Sequence, residues 1–161
     1  MRKLYLTTAI LSVLAAWPLS AAETQTCTPM TKDQVAALFD QWNAALQTGN
    51  PDEIVKIYAE DAVLLPTVSN KPRTTREEIR DYFAHFMEKK PKGKIDTRTI
   101  RIGCNDASDV GTYTFILTEK DGTAATVPAR YSFLYVHKDG KWQIAHHHSS
   151  AMPEKGPEAG H

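Results

Sequence analysis

Apolar positions fall at helical spacing over two stretches of the first ninety residues and then change period. Val35, Leu38, Phe39, Trp42 and Leu46 recur every three or four residues, which predicts an amphipathic helix. Thr31 and Gln34 form a capping box at its start. Thr48-Gly49-Asn50-Pro51 ends it and opens a second helix of about two turns, with Ile54, Ile57 and Tyr58 on its apolar face. Ala62 to Leu65 reads as a short buried strand closed by Pro66, followed by a polar loop from Val68 to Pro72. Thr75 and Glu78 supply a second capping box, and Ile79, Tyr82, Phe83, Phe86 and Met87 mark a third helix. Lys89-Lys90-Pro91-Lys92-Gly93 stops it.

Beyond residue 94 the period becomes two. Ile95 to Cys104 is rich in Thr and Ile, and Asn105 to Asp109 reads as a turn. Tyr113, Phe115 and Leu117 alternate with Thr112, Thr114, Ile116 and Thr118, the pattern of a half-buried strand. Val127 to His137 is a third strand, with Pro128 marking an edge or bulge, and Lys141 to Ser149 a fourth. Helices grouped ahead of an antiparallel meander predict an α+β fold. Three helices pack on one face of a curved antiparallel sheet, and the open end leaves a cone-shaped pocket. The pocket is the default place for a ligand.

The first 22 residues stand apart. Arg2 and Lys3 precede a mostly apolar run from Leu4 to Trp17, then Pro18 and Ser20-Ala21-Ala22. This is the layout of a secretory signal peptide cleaved after Ala22, the run being short of the roughly 20 residues a span needs. The expected organisation is 1–22 signal peptide, 23–30 N-terminal segment, 31–153 folded domain and 154–161 loose tail. The mature protein is expected to be periplasmic or secreted, with no membrane span. Export makes Cys27 and Cys104 a candidate disulfide, the alternative being two buried thiols.

The chain has 161 residues, 24% of them charged, with 19 basic and 19 acidic side chains and no formal net charge. That length holds one domain. The charge balance excludes the basic footprint of a nucleic-acid binder, and no cofactor fingerprint is present.

Three groups are candidates for chemistry. Strict alternation puts His146 and His148 on one face with Trp142 and Ile144, and His147 on the other. Two histidines so spaced can hold a metal, but no third ligand is suitably spaced (His85 and His137 are distant), so no metal site is assigned. The alternative is pocket or interface histidines, or exposure at a strand end. Arg130 lies in an apolar strand and needs a partner or water; an anion site and a structural ion pair are both open. A two-residue Asp139-Gly140 turn places Arg130 opposite His148, and a three-residue turn with a Gly bulge places them together. Among carboxylates, Asp61 sits at a helix-to-strand junction, Asp96 on a strand and Asp109 in a turn, without a productive pair. His146 or His148 could act as a base instead. Trp42, Tyr58, Tyr82, Phe86 and Trp142 face the interior by periodicity, as core or as pocket wall.

The segments Ala129 to Tyr135 and Asp139 to Ser150, with Asp139-Gly140-Lys141-Trp142 leading into His146-His147-His148-Ser149, resemble the association domain of calcium/calmodulin-dependent protein kinase II. The order of elements resembles the nuclear transport factor 2-like superfamily, including SnoaL-like cyclases and ketosteroid isomerases. Leu64 to Thr67, Tyr82-Phe83 and His147 to Pro153 resemble exported bacterial SgcJ/EcaC-type proteins. The resemblance covers residues 31–153 and implies the nuclear transport factor 2-like fold. It implies a homodimer or larger assembly, because related domains cover the apolar outer face of the sheet with a second copy. Kinase association domains are non-catalytic, and this chain has no kinase domain, phosphate loop or calmodulin-target helix. The expected ligand is an unidentified small molecule, an anion being one option, in a pocket drawn from Trp42, Tyr58, Tyr82, Phe86, Arg130, Trp142, His146 and His148. The alternative is an isomerase- or cyclase-type enzyme using a pocket His or Asp.

Overall fold

The computed structural model describes residues 26–67 and 69–153. The expected signal peptide and tail lie outside the described residues. The elements run α1 (Lys32–Gln47), α2 (Pro51–Val55), β1 (Tyr58–Leu65), α3 (Arg76–Met87), β2 (Lys92–Ile102), β3 (Asp106–Thr118), β4 (Ala124–Lys138) and β5 (Lys141–Ala151). The fold is α+β, as the periodicity predicts.

Local chemistry accounts for the ends of the helices. At α1 the Thr31 hydroxyl accepts from Gln34 N and the Gln34 side chain accepts from Thr31 N, satisfying two of the free amides of the first turn. At α3 only half of the expected box forms. Thr75 Oγ1 accepts from Glu78 N, but the Glu78 carboxylate reaches one residue further back, to Thr74 N.

The second helix is shorter than the pattern predicts. It ends at Val55, and Tyr58 opens β1 instead of closing a helix face. The reason lies in pairing: Ile144 N donates to Ile57 O, and Tyr58 pairs with Ile144. That sheet bond takes the chain out of the helix before Ile57 and Tyr58 can join it.

The sheet order is β1-β5-β4-β3-β2. The meander β2 to β5 is antiparallel, as expected, while β1 runs parallel to β5 at the far edge. One face packs on α1 and α3. Its buried side chains include Tyr113, Phe115, Leu117, Tyr131, Phe133, Tyr135 and Ile144, against Phe39, Trp42, Leu46, Phe83 and Phe86 of the helices. Val110, Ile116 and Leu134 stay exposed on the opposite face.

A tight turn and two of the register shifts in the sheet bear on the site. Lys138 pairs with Lys141 across a two-residue Asp139-Gly140 turn with φ of 52° and 74°, the form favoured by strand twist. The register shifts between Ile95 and Thr97, and Gly111 faces that bulge, where a Cβ would come 2.0 Å from Thr97 O. The β4–β5 register shifts between the Leu134–His146 and Tyr135–Ile144 pairs, leaving Ala145 as the extra residue. Pro128 needs no ladder partner toward β5, because that strand ends at Ala151 opposite Ala129. It lies on a local edge, as its missing N–H requires.

Candidate functional site

The Ala145 bulge decides which histidine faces inward. A bulge adds one residue and reverses the alternation beyond it. Ile144 is therefore buried, as are His147 and Ser149, while His148 is exposed and His146 half-buried. This corrects the alternation reading, which paired Ile144 with His146 and His148. Arg130 pairs with Ser150, and Ser132 with His148. Arg130, His146 and His148 thus share one face, but it is the outer one. The two-residue turn alone would have separated them; the bulge brings them back together, outside the cone.

His147 occupies the floor of the cone. Its ring stacks on Phe133 at 4.1 Å and meets Trp42 edge-on at 5.2 Å. Trp42 Nε1 donates to Tyr58 Oη at 3.1 Å, and Tyr58 Oη lies 2.8 Å from His147 Nδ1. Burial pushes the His147 pKa down to about 3, so the ring is neutral at any ordinary pH. Beside it, Tyr113 Oη donates to Ser149 Oγ, which also contacts Thr67 Oγ1.

His147, Ser149, Tyr113 and Thr67 border a void of about 10 Å³, lined also by Trp42, Leu64, Tyr82, Phe83 and Phe86. That is room for about one water. Aromatic side chains fill most of the cone, which is why so little space remains. Above them lies an open cleft of about 370 Å³, lined by Ser69, Arg73, Tyr82, His85, Phe86, Lys89 and Leu117. Tyr82 and Phe86, stacked at 5.8 Å, border both spaces.

The rim of the cleft is cationic. Arg73 forms a β-bridge with Leu64 and lies over the Tyr82 ring at 5.9 Å. Its guanidinium is loosely held: Nη1 is 3.5 Å from Asp81, Nη2 is 3.4 Å from Ser69, and buried Nε has no partner. The bond from His85 Nδ1 to the Asp81 carbonyl raises the His85 pKa.

A second buried polar group lies elsewhere on the inner face. Asp109, read from sequence as a turn residue, is fully buried on β3. Its carboxylate accepts from Tyr131 Oη at 2.9 Å and pairs with Arg98 Nε at 3.0 Å. Burial pushes its pKa up, against the pull of Tyr131 and Arg98. Asp109 lines neither the cleft nor the void. Asp61 and Asp96 are exposed. Among the described residues, no cluster of three or more His, Cys, Asp or Glu is arranged to hold a metal.

Residues 31–153 match the family described as calcium/calmodulin dependent protein kinase II association domain. The chain belongs to that family. A crystal structure from Xanthomonas campestris, named after the same association domain, is 58% identical, covering 75% of this chain and 87% of that one with a TM-score of 0.74. A nuclear transport factor 2-like superfamily protein from Salmonella enterica is 17% identical, covering 81% of this chain and 96% of that one with a TM-score of 0.67. A Streptomyces avermitilis protein of the NTF2-like family, provisionally named a dehydratase, is 11% identical, covering 76% of this chain and 97% of that one with a TM-score of 0.67. The last two establish the fold alone.

Within this association domain, the expected pocket set divides. Trp42, Tyr58, Tyr82 and Phe86 are buried around the cone. Trp142 is half-buried and packs on His137 at the sheet end, 5.4 Å between ring centroids. His148 lines a separate polar groove with Thr67, Ser69 and Ser150. Sequence reasoning missed Arg73, set His147 on the face away from the pocket residues and read Asp109 as a turn residue. Asp109 alone carried a readable signal, since extending the alternation of Tyr113 back through Gly111 points it inward. The disulfide joins Cys27 to Cys104, consistent with an oxidising compartment. Among the described residues no helix is long and apolar enough to cross a membrane.

Proposed function

We propose that the mature protein is an exported, homo-oligomeric association domain that binds a small amphipathic anion and has no kinase activity of its own. The observation that carries the ligand reading is the cleft: an apolar wall of Tyr82, Phe86 and Leu117 beneath Arg73, Lys89 and His85. A flat apolar body suits the wall, and a carboxylate suits a guanidinium fork. Family membership supports self-association. So do Val110, Ile116 and Leu134, exposed on the outer sheet face, which a second copy would cover.

Native mass spectrometry of the mature chain is expected to show a dimer or larger ring. A monomer at micromolar concentration would sink the assembly half of the reading. Benzoate serves as a probe of the cleft, and Arg73→Met is expected to weaken its binding by about tenfold or more. Unchanged affinity in that variant would remove Arg73 from the site.

The isomerase- or cyclase-type alternative draws on one observation, the buried Asp109 carboxyl with its raised pKa. Two facts favour binding over acid–base work. Asp109 is paired and lines neither space. His147, with a pKa of about 3, is far from the neutral range that suits a general base.

A further inference from the structure

The bulge at Ala145 sets two histidines among the apolar side chains of the outer sheet face. His146 lies between Val63 of β1 and Leu134 of β4, and His148 between Leu65 of β1 and Ser132 of β4. Val110 of β3 sits opposite Ser132, one strand further on. Leu134 and Val110 are exposed, and Val63 and Leu65 are half-buried. Apolar side chains thus flank the two imidazoles on both sides. A partner that covers the apolar patch covers them too.

Among the described residues, no carboxylate forms an ion pair with either imidazole. On β1 the acidic residues Glu60 and Asp61 are exposed to water. From β4 the charged group on this face is a cation, Arg130, two residues from Ser132 and opposite Ser150. Beside His148, the loop after β1 presents Thr67, Ser69 and Asn70, all uncharged. On β5 itself, each imidazole has the other as its neighbour on this face. Burial and His148 already lower the His146 pKa, against a pull from the Val63 backbone.

We propose that two copies of this chain pair through their outer sheet faces across His146, His148, Leu134 and Val110, and that protonation of the two histidines opens the pair. This rests on the self-association reading, which the family match supports. A two-fold axis presents each residue of the patch twice, so the interface holds two imidazoles from each copy, with Arg130 of each alongside. Neutral imidazoles tolerate apolar cover. Charged ones would lose water and meet like charge without a carboxylate to offset either cost. The histidine pKa is therefore lower in the pair than in the separate chains, and separation takes up protons. The pair is tightest above the ordinary histidine value of about 6.5 and weakens as pH falls through it. Lowering each pKa by about one raises the dissociation constant about fivefold per imidazole between pH 7.5 and pH 5.5.

Sedimentation equilibrium of the protein at pH 7.5 and pH 5.5 tests this, with circular dichroism at both values to keep dissociation apart from acid unfolding. The wild-type dissociation constant is expected to rise about a hundredfold or more on acidification. The double variant His146→Gln/His148→Gln, which cannot take up the protons, is expected to stay within about threefold of its own value at pH 7.5. Leu134→Lys is expected to be monomeric at both pH values with a wild-type spectrum, because pairing would bury its charge. Should wild type lose its folded spectrum by pH 5.5, the same comparison at pH 6 decides. A wild-type constant that ignores pH would overturn the switch and leave self-association standing. A wild-type monomer at both pH values would overturn the two together. Equal weakening in wild type and the double variant would overturn the role of the histidines. An undiminished pair in Leu134→Lys would overturn the outer face as the interface.

Discussion

Replacing Cys27 and Cys104 with alanine is expected to lower the melting temperature of the protein by about 10 °C or more. The bridge spans 77 positions. Closing so long a loop removes conformations from the unfolded chain, at most about 4–5 kcal/mol in the chain-entropy picture. It also holds a segment with few other anchors: Thr28 N bonds Cys104 O and the Asn105 side chain, and Asn105 bonds Thr26 O. Thermal unfolding of the double variant, and of wild type with reductant, gives the number. A shift under about 3 °C would mean that the unfolded chain is already compact and the bridge adds little.

The second large effect is acid sensitivity. In the unfolded chain His147 titrates near its ordinary value of about 6.5; in the folded protein burial lowers it to about 3. Between these values the unfolded state binds the extra proton and the folded state does not. Stability is therefore full above pH 6.5 and falls as pH drops through the window. The expected loss from pH 7 to pH 5 is about 2 kcal/mol. His146 contributes with the same sign, because burial and the neighbouring His148 lower its pKa. His85 opposes it, its pKa being raised. Denaturant unfolding at pH 7 and pH 5 measures the slope, and His147→Gln, which keeps an acceptor for Tyr58, is expected to flatten it. A His147 ring that titrates near pH 6.5 in the folded protein would rule this out.

Much of the fold was legible because its signals are local. The capping box at Thr31, the apolar stripes of α1 and α3 and the Tyr113-Phe115-Leu117 alternation each depend on near neighbours. The functional interior was less legible because it depends on single-residue irregularities. Ala145 carries no mark of a bulge, yet it exchanges His147 for His146 and His148 at the base of the cone. Asp109 sits among turn-forming residues, and it is pairing with Ile100 and Phe133 on either side, with Arg98 and Tyr131 holding its carboxylate, that keeps it in the sheet. Arg73 becomes a rim residue through a bridge to Leu64 that no sequence spacing reveals.

The parallel pairing of β1 with β5 has a consequence for how the chain becomes a protein. The first strand made is completed only by the last one made, 80-odd positions later in the register, as in Tyr58 with Ile144. A chain emerging from its N-terminus therefore lacks the partner of β1 until nearly everything has been synthesised. Such long-range closure slows folding, and until β5 arrives β1 waits as an unpaired strand edge.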